Sequence, residues 1–305
     1  MNARPKLSIV IVTYNRYKDL VDCLDSILEM DYPPFETIIV DSCSTDDTKK
    51  IEAYYPIRFV SIREKSMVKA RNVGGSLAEG DIIAFLDDDV LVHRQWSKHL
   101  LKTYKHIQIG GVGGRVIPYN APENYYQKAR KADIGKVFKT GLVMGNYDVP
   151  LESPVEVDTL IGCNMSFRKD VMKKVGDFDE NFSGNCFRDD TDYCVRVRKQ
   201  GYKLLYQPKA HVWHKFKGKT ANSQWIYWYT RNNTYFYFKD IFAQSRLRLA
   251  FFFYRMFFPP RDYALKSGIR VKPKATTIAA ALKGILEGIE VYRKTRRDLT
   301  QKEKP

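Results

Sequence analysis

Three consecutive carboxylates, Asp87-Asp88-Asp89, follow the apolar run Ile82–Leu86 in this 305-residue sequence. Acids held that close raise one another's protonation cost unless a positive charge neutralises them. A hard divalent cation, Mg²⁺ or Mn²⁺, held by one or two carboxylates and the oxygens of a diphosphate is the usual remedy. The alternative is a solvated acidic turn after a buried strand. Asp41 follows Ile38-Ile39-Val40 and fits a carboxylate accepting hydrogen bonds from a base or ribose. Ser44-Thr45-Asp46-Asp47, just beyond it, also reads as a helix N-cap. Asp189 and Asp190 stand where a helix should begin, a place the helix dipole favours for acids. A general base taking the proton from an attacking hydroxyl would have the same residue type. His214 is open to two readings, metal ligand or structural histidine.

These groups need a frame. Leu7–Thr13 is an unbroken apolar, β-branched run, as expected of a strand buried on both faces. The pattern then predicts a helix over 17–30, a strand over 37–40 and a helix over 45–54. A strand over 57–61, a helix over 66–78 and a strand over 82–86 follow. Such alternation implies parallel pairing with right-handed crossovers. Ligands bind such sheets beyond the carboxyl ends of the strands. Thr13-Tyr14-Asn15, Asp41 and Asp87–Asp89 all fall at strand ends. The middle is less regular: a strand at 110–114, then loops to about 154. A helix from about 189 to 201 and a short strand at 203–206 lead into Pro208–His214.

The formal charge is +16, yet residues 215–305 carry 20 Lys/Arg against 6 Asp/Glu, so only +2 belongs to residues 1–214. Five scattered cysteines (Cys23, Cys43, Cys163, Cys186, Cys194) include no Cys-x-x-Cys pair. That argues against a disulfide framework or zinc site and for a reducing compartment. Leu7–Val12 is too short for a signal sequence, and no stretch reaches the roughly 18 apolar residues of a spanning helix. The expectation is a cytoplasmic protein, peripheral at the membrane. From about Lys215 aromatic rings mix with cations: Trp225–Phe238, then Leu247–Phe258 among Arg246, Arg248, Arg255 and Arg261, then a Pro259-Pro260 break. A last helix over 278–293 places Ile278, Leu282, Ile285, Leu286, Ile289 and Tyr292 on one face. This composition suits an anionic lipid boundary, or packing beneath the rest of the chain. No nucleic-acid recognition fold surrounds it, so no nucleic-acid partner is expected.

Taken in order, the segments VIVTYNR, VDSCSTDDT, ARNVGG, FLDDDV, GCNMSFRKDV, GDFDENF, DDTDYCVRVRKQGYKLLY and P-x-A-x-V-x-H resemble the family 2 glycosyltransferases over residues 6–214. The resemblance implies an inverting enzyme with the GT-A fold: an α/β, Rossmann-like, mostly parallel sheet flanked by helices. It implies a catalytic domain over 1–214, with a nucleotide-sugar half (about 1–110) and an acceptor and base half (about 111–214). A basic, aromatic, helical extension would occupy 215–305. By the same resemblance Thr13, Tyr14, Asn15, Asp41, Arg71, Asp87 and Asp88 would bind the donor nucleotide, and Asp89 and His214 the metal. Asp190, or Asp189 beside it, would be the catalytic base. Asp189 departs from the glutamate commoner at that position. Gly162, Cys163 and Asn164 would shape the pocket under donor sugar and acceptor. A UDP- or dTDP-linked donor and a glycan or lipid-linked acceptor in envelope glycan synthesis are implied. The competing readings are a nucleotidyltransferase, for which residues 13–16 supply no glycine-rich phosphate loop, and a non-catalytic sugar-nucleotide-binding scaffold.

Overall fold

Residues 5–120, 134–215, 222–241, 246–257 and 274–302 are described by the computed structural model. Phe258, the Pro259-Pro260 break, Arg261 and part of the loop region before residue 154 lie outside them, as do the side chains of Arg246 and Arg255. The chain divides into two compact units. The first comprises Met1–Lys136, Gly145–Phe178 and Tyr193–Phe216; the second comprises Val137–Met144, Asp179–Asp192 and Lys217–Pro305.

The first unit is built on a nine-stranded sheet. Its strands are β1 (Leu7–Thr13), β2 (Glu36–Ser42), β3 (Arg58–Ile62), β4 (Ile82–Asp87), β5 (Val90–Val92), β6 (Ile109–Pro118), β9 (Val155–Val157), β10 (Asn164–Arg168) and β11 (Lys203–His214). Two-residue strands β7 (Lys136–Val137) and β8 (Val143–Met144) lie outside it. The order is β3-β2-β1-β4-β10-β6-β11-β5, with β9 on β11. The first four strands are mutually parallel, β6 is parallel to β11, and β10, β5 and β9 run against their neighbours. The expected α/β sheet is present and is mixed in its second half. Helices α1 (Tyr17–Leu28), α2 (Met67–Leu77), α3 (Trp96–Thr103) and α4 (Lys169–Val175) complete the unit. Helix α1 turns Leu20, Cys23, Leu24 and Ile27 toward Ile9, Ile11, Ile39 and Leu86 in one apolar core. Every one of these is almost fully buried, which is why β1 and β4 carry no polar alternation.

Two elements differ from the pattern read above. The helix expected at 45–54 is a 3-10 segment, Asp47–Ala53, whose buried residues Thr48 and Ile51 are three apart, matching a three-residue turn. The short strand expected at 203–206 continues to His214. Proline lacks the N–H a ladder needs and sits in strands only at edges or bulges. Here Pro208 falls in a register irregularity between Gln207 and Val212, which lets the strand pass through it.

The second unit is largely helical: α6 (Ser223–Phe236), a π-turn at Tyr237–Ile241, α7 (Arg246–Phe257) and α8 (Ala275–Lys302). Helix α5 (Asp189–Lys199) starts in this unit. Helix α8 packs on α6 through a face that takes in only part of the apolar stripe read in the sequence. Gly284 and Gly288 meet α6, with Ala281 and Ile285 buried beside them, while Tyr292 of the stripe lies by Phe238 with ring centroids 5.6 Å apart. A Cβ at Gly284 would lie 2.4 Å from the Tyr227 carbonyl oxygen, and one at Gly288 2.5 Å from that of Arg231. Only bare backbone fits so close. Ile278, Leu282 and Leu286 remain exposed, at 46%, 52% and 69%. Among the described residues no helix is long and apolar enough to cross a membrane.

Candidate active site

Register brings the sequence-predicted groups of the first unit to one sheet edge. Thr13 pairs with Asp41 across β1 and β2, Asp41 with Ser61 of β3, and Val12 with Asp87 of β4. Strand β10 runs the opposite way, so its first residue, Asn164, paired with Leu86, enters at the same edge just after Gly162-Cys163. His214 closes β11 opposite Val90, and the Lys215 N–H donates to the Asp89 carbonyl at 2.9 Å.

The carboxylates meet built-in cations. Thr13 Oγ1 donates to Asp88 Oδ2 at 2.8 Å, and Arg16 Nη1 lies 3.1 Å from Asp88 Oδ1 while also binding Asp89 Oδ2. His214 Nε2 is 3.0 Å from Asp89 Oδ1, and Arg71 Nη2 is 3.4 Å from Asp87 Oδ1. Burial pushes Asp88 up to about 7, with Asp89 and Asp87 adding to the rise that Arg16 and Thr13 oppose. Asp89 is buried too, but His214 and Arg16 overcome that and hold it at about 2. His214 is raised in turn: burial lowers it, and the Asp89 carboxylate more than compensates. Below the corner, the buried Cys23 thiol donates toward the Asp87 carbonyl at 3.8 Å, its pKa pushed far up by burial, and forms a neutral floor.

Asp87, Asp89 and His214 each offer a ligand atom, all within 4.8 Å of one another. Two carboxylate oxygens and an imidazole nitrogen suit a hard or borderline divalent cation, with room left for phosphate oxygens. The donor set therefore fits Mn²⁺ or Mg²⁺.

The remaining predicted residues divide by how they are engaged. Asn15, in the left-handed region at φ 52°, donates its N–H to Ser44 Oγ and accepts from the Thr45 N–H at 2.7 Å. Asp41 accepts from the Ser44 N–H at 3.1 Å, so the cap-like turn after β2 is built on it. The Tyr14 ring lies under Lys65, whose Nζ is 3.8 Å from the centroid. Arg71 is held against Gly162, where a Cβ would stand 2.7 Å from its Nη2. Cys163 belongs to the apolar core. Asn164 is fully buried: its amide donates to the carbonyls of Arg115 and Ala210, and its oxygen accepts from Trp96 Nε1. Asp189 and Asp190 open α5 in the second unit, Asp189 buried and Asp190 half-buried, with Asp190 Oδ1 accepting from the Thr191 N–H at 2.6 Å. Sequence reasoning missed Arg16 as a partner of the acidic triplet. The available signal was its place directly after the Thr13-Tyr14-Asn15 strand end.

A mixed α/β sheet with acids and a histidine gathered beyond its parallel strands is the arrangement of a GT-A glycosyltransferase, an enzyme that moves a sugar from a nucleotide sugar. Residues 8–176, more than half of the chain, match the sequence model of glycosyl transferase family 2, and the chain belongs to that family. Among its relatives is the glucosyl-dolichyl phosphate glucuronosyltransferase of Haloferax volcanii, 24% identical over 241 residues that cover 72% of each chain. Among solved structures it resembles the mannosyltransferase PcManGT from Pyrobaculum calidifontis in complex with GDP-Man and Mn²⁺ (TM-score 0.58, 19% identity, 97% of this chain and 81% of that one). It also resembles Staphylococcus aureus TarS 1-349 in complex with UDP-GlcNAc (TM-score 0.57, 18% identity, 97% and 92%).

Proposed function

We propose that the chain is an inverting glycosyltransferase that uses a UDP- or dTDP-linked donor and a glycan or lipid-linked acceptor hydroxyl. The observation that carries the donor side is the set of ligand atoms on Asp87, Asp89 and His214, gathered at the carboxyl ends of parallel strands. In this reading Thr13, Tyr14, Asn15, Asp41 and Arg71 form the nucleotide pocket, and Asp88 faces the ribose. Asp89 and His214, joined by Asp87, hold the divalent cation. A bound Mn²⁺ or Mg²⁺ supplies Lewis-acid stabilisation to the departing diphosphate. Arg16 and Arg71 orient the carboxylates, and His214 with Arg16 keeps Asp89 ionised. Asp190 takes the proton from the acceptor hydroxyl as its oxygen attacks the anomeric carbon on the face opposite the diphosphate, which inverts that carbon. Residues 1–110 would serve the donor and 111–214 the acceptor and base.

The experiment is a melting-temperature series with nucleotides and Mn²⁺, paired with donor hydrolysis. UDP or dTDP with Mn²⁺ should raise the melting temperature by mass action. Asp190→Asn should leave that shift in place and lower donor turnover by roughly 10²–10⁴-fold, the usual share of a general base. No shift with any nucleotide, or full turnover in the Asn variant, refutes the assignment.

A lipid-linked acceptor is supported by the Haloferax relative, whose name gives a dolichyl phosphate substrate. The outer ridges of two second-unit helices agree with it. Ile278, Leu282 and Leu286 on α8 are exposed beside Lys283, Arg293, Lys294, Arg296 and Arg297, and Leu247, Phe251 and Tyr254 are exposed on α7 beside Arg248. Apolar ridges flanked by cations suit peripheral binding to an anionic membrane, in this reading its cytoplasmic face. Flotation with phosphatidylglycerol vesicles but not phosphatidylcholine vesicles is expected, and equal or absent binding to both rules it out.

A further inference from the structure

The backbone that leads into Asp189 and Asp190 is of an unfavourable kind. Gly184 (φ 69°), Cys186 (φ 50°) and Arg188 (φ 81°) all occupy the left-handed region. Residues with a Cβ avoid it, so Cys186 and Arg188 stay there only where their surroundings leave no other choice. Within the second unit those surroundings come from one helix and the turn after it.

Asn232, fully buried on α6, donates from Nδ2 to the Ser183 carbonyl at 2.9 Å and to Asn185 Oδ1 at 3.2 Å. Asn233 accepts at Oδ1 from Arg188 Nε at 2.9 Å and is itself fixed by donating to the Tyr229 carbonyl at 2.7 Å. Arg231 donates to the Asn181 carbonyl. Beyond α6, Lys239 Nζ lies 2.7 Å from Asp179 Oδ2 and also pairs with Asp192, while the Tyr235 hydroxyl donates to Asp179 at 2.7 Å. The segment is thus gripped on both sides of Asp189-Asp190.

The composition of the helix agrees. Thr230-Arg231-Asn232-Asn233-Thr234 is a run of five polar residues, all buried. Burying polar groups costs free energy that apolar residues would not, and hydrogen bonds do little more than offset it. What the run adds is direction.

We propose that Arg231, Asn232, Asn233 and Lys239 are positioning residues that set the 184–188 turn and through it the aim of the Asp190 carboxylate. This rests on Asp190 being the general base. The segment after residue 214 then belongs to the catalytic apparatus and is more than an extension with a surface role.

Asn233 is the point to test, because it holds the residue immediately before the acidic pair. Asn233→Leu keeps the size and removes the acceptor; Asn233→Asp keeps the acceptor. The probe is whichever of UDP-GlcNAc, UDP-glucuronate, GDP-mannose and dTDP-rhamnose the full chain hydrolyses fastest with Mn²⁺. Misplacing a reacting group by about 1 Å costs on the order of 10²-fold, so Asn233→Leu should lower kcat by roughly 10–100-fold with KM within about twofold. Amide exchange should quicken over 184–192 and stay unchanged over 82–92, and Asn233→Asp should recover most of kcat. If the Leu variant fails to fold, Arg188→Lys, which removes Nε from the other side of the same bond, takes its place with the same readouts. An unchanged kcat, or a loss that Asn233→Asp does not recover and that follows the melting temperature, overturns the proposal. Turnover insensitive to Asp190→Asn would overturn the base reading and this inference with it, whereas an Asn-sensitive rate unmoved at Asn233 overturns the positioning role alone.

Discussion

Two groups of acids in this chain are met by their basic neighbours in different ways. In the first unit Asp87, Asp88 and Asp89 share Arg16, Arg71 and His214, and the balance is uneven: Asp89 is held at about 2 while Asp88 is pushed up to about 7. In the second unit Asp179 and Asp192 close on one ammonium, Lys239, with the Tyr235 hydroxyl completing Asp179. Burial would raise Asp179, but Lys239 holds it at about 2, and Lys239 itself is raised by the two acids against its own burial. In the second group both acids turn onto one ammonium. In the first, Asp87, Asp89 and His214 hold ligand atoms within 4.8 Å of one another, an arrangement that suits a cation with phosphate ligands. Acid clusters are common, so the telling feature is where their ligand atoms converge.

The contrast can be broken in three places. Lys239→Met should have the largest effect, since it leaves two carboxylates buried without their cation, a loss of about 3–5 kcal/mol of folding stability. Urea melts would measure it, and a loss below about 1 kcal/mol would mean that the second group is not closed by Lys239. Asp179→Asn should come next, at on the order of 2 kcal/mol near neutral pH. The sign follows from the depressed pKa: the folded value is about 2 against 3.8 unfolded, so the stabilisation is present above about 4 and is lost as pH falls toward 2. Wild type and Asp179→Asn should therefore converge in melts between pH 4 and 2, and a constant gap would contradict the pairing. Asp89→Asn should cost no more than Asp179→Asn in stability, since a carboxyl likewise held at about 2, here by His214 and Arg16, is lost. Its effect should appear in ligand response, where the Mn²⁺-dependent rise in melting temperature with UDP disappears. A large drop in the ligand-free melting temperature would show that the acidic triplet is structural.

Much of the first unit was legible because its signals are local. A strand such as β1 shows itself as a run of seven mostly β-branched residues, and register then fixes which ends meet. The family resemblance set Asp89 and His214 at the metal and Asp87 at the nucleotide; in the structure the ligand atoms of all three lie within 4.8 Å of one another. Arg16 was not, since nothing local says that a strand-end arginine will fold back onto acids more than seventy residues away. Asn164 shows the same limit: nothing local says that its hydrogen bonds go to Trp96, Arg115 and Ala210. The Asn232-Asn233 grip was illegible for a third reason, because buried asparagines on a helix look like solvent-facing ones until the opposing turn is known. In α8 the apolar stripe was legible, but the close seat on α6, which its glycines make, was not.

That glycine seam separates what anchors α8 from what it displays. Residues 278, 282 and 286 have no duty in holding the helix, so they are open to exchange without risk to the unit beneath. Chains sharing the same seam can therefore differ widely in the side chains they display there, and likeness in the first unit need not extend to this surface.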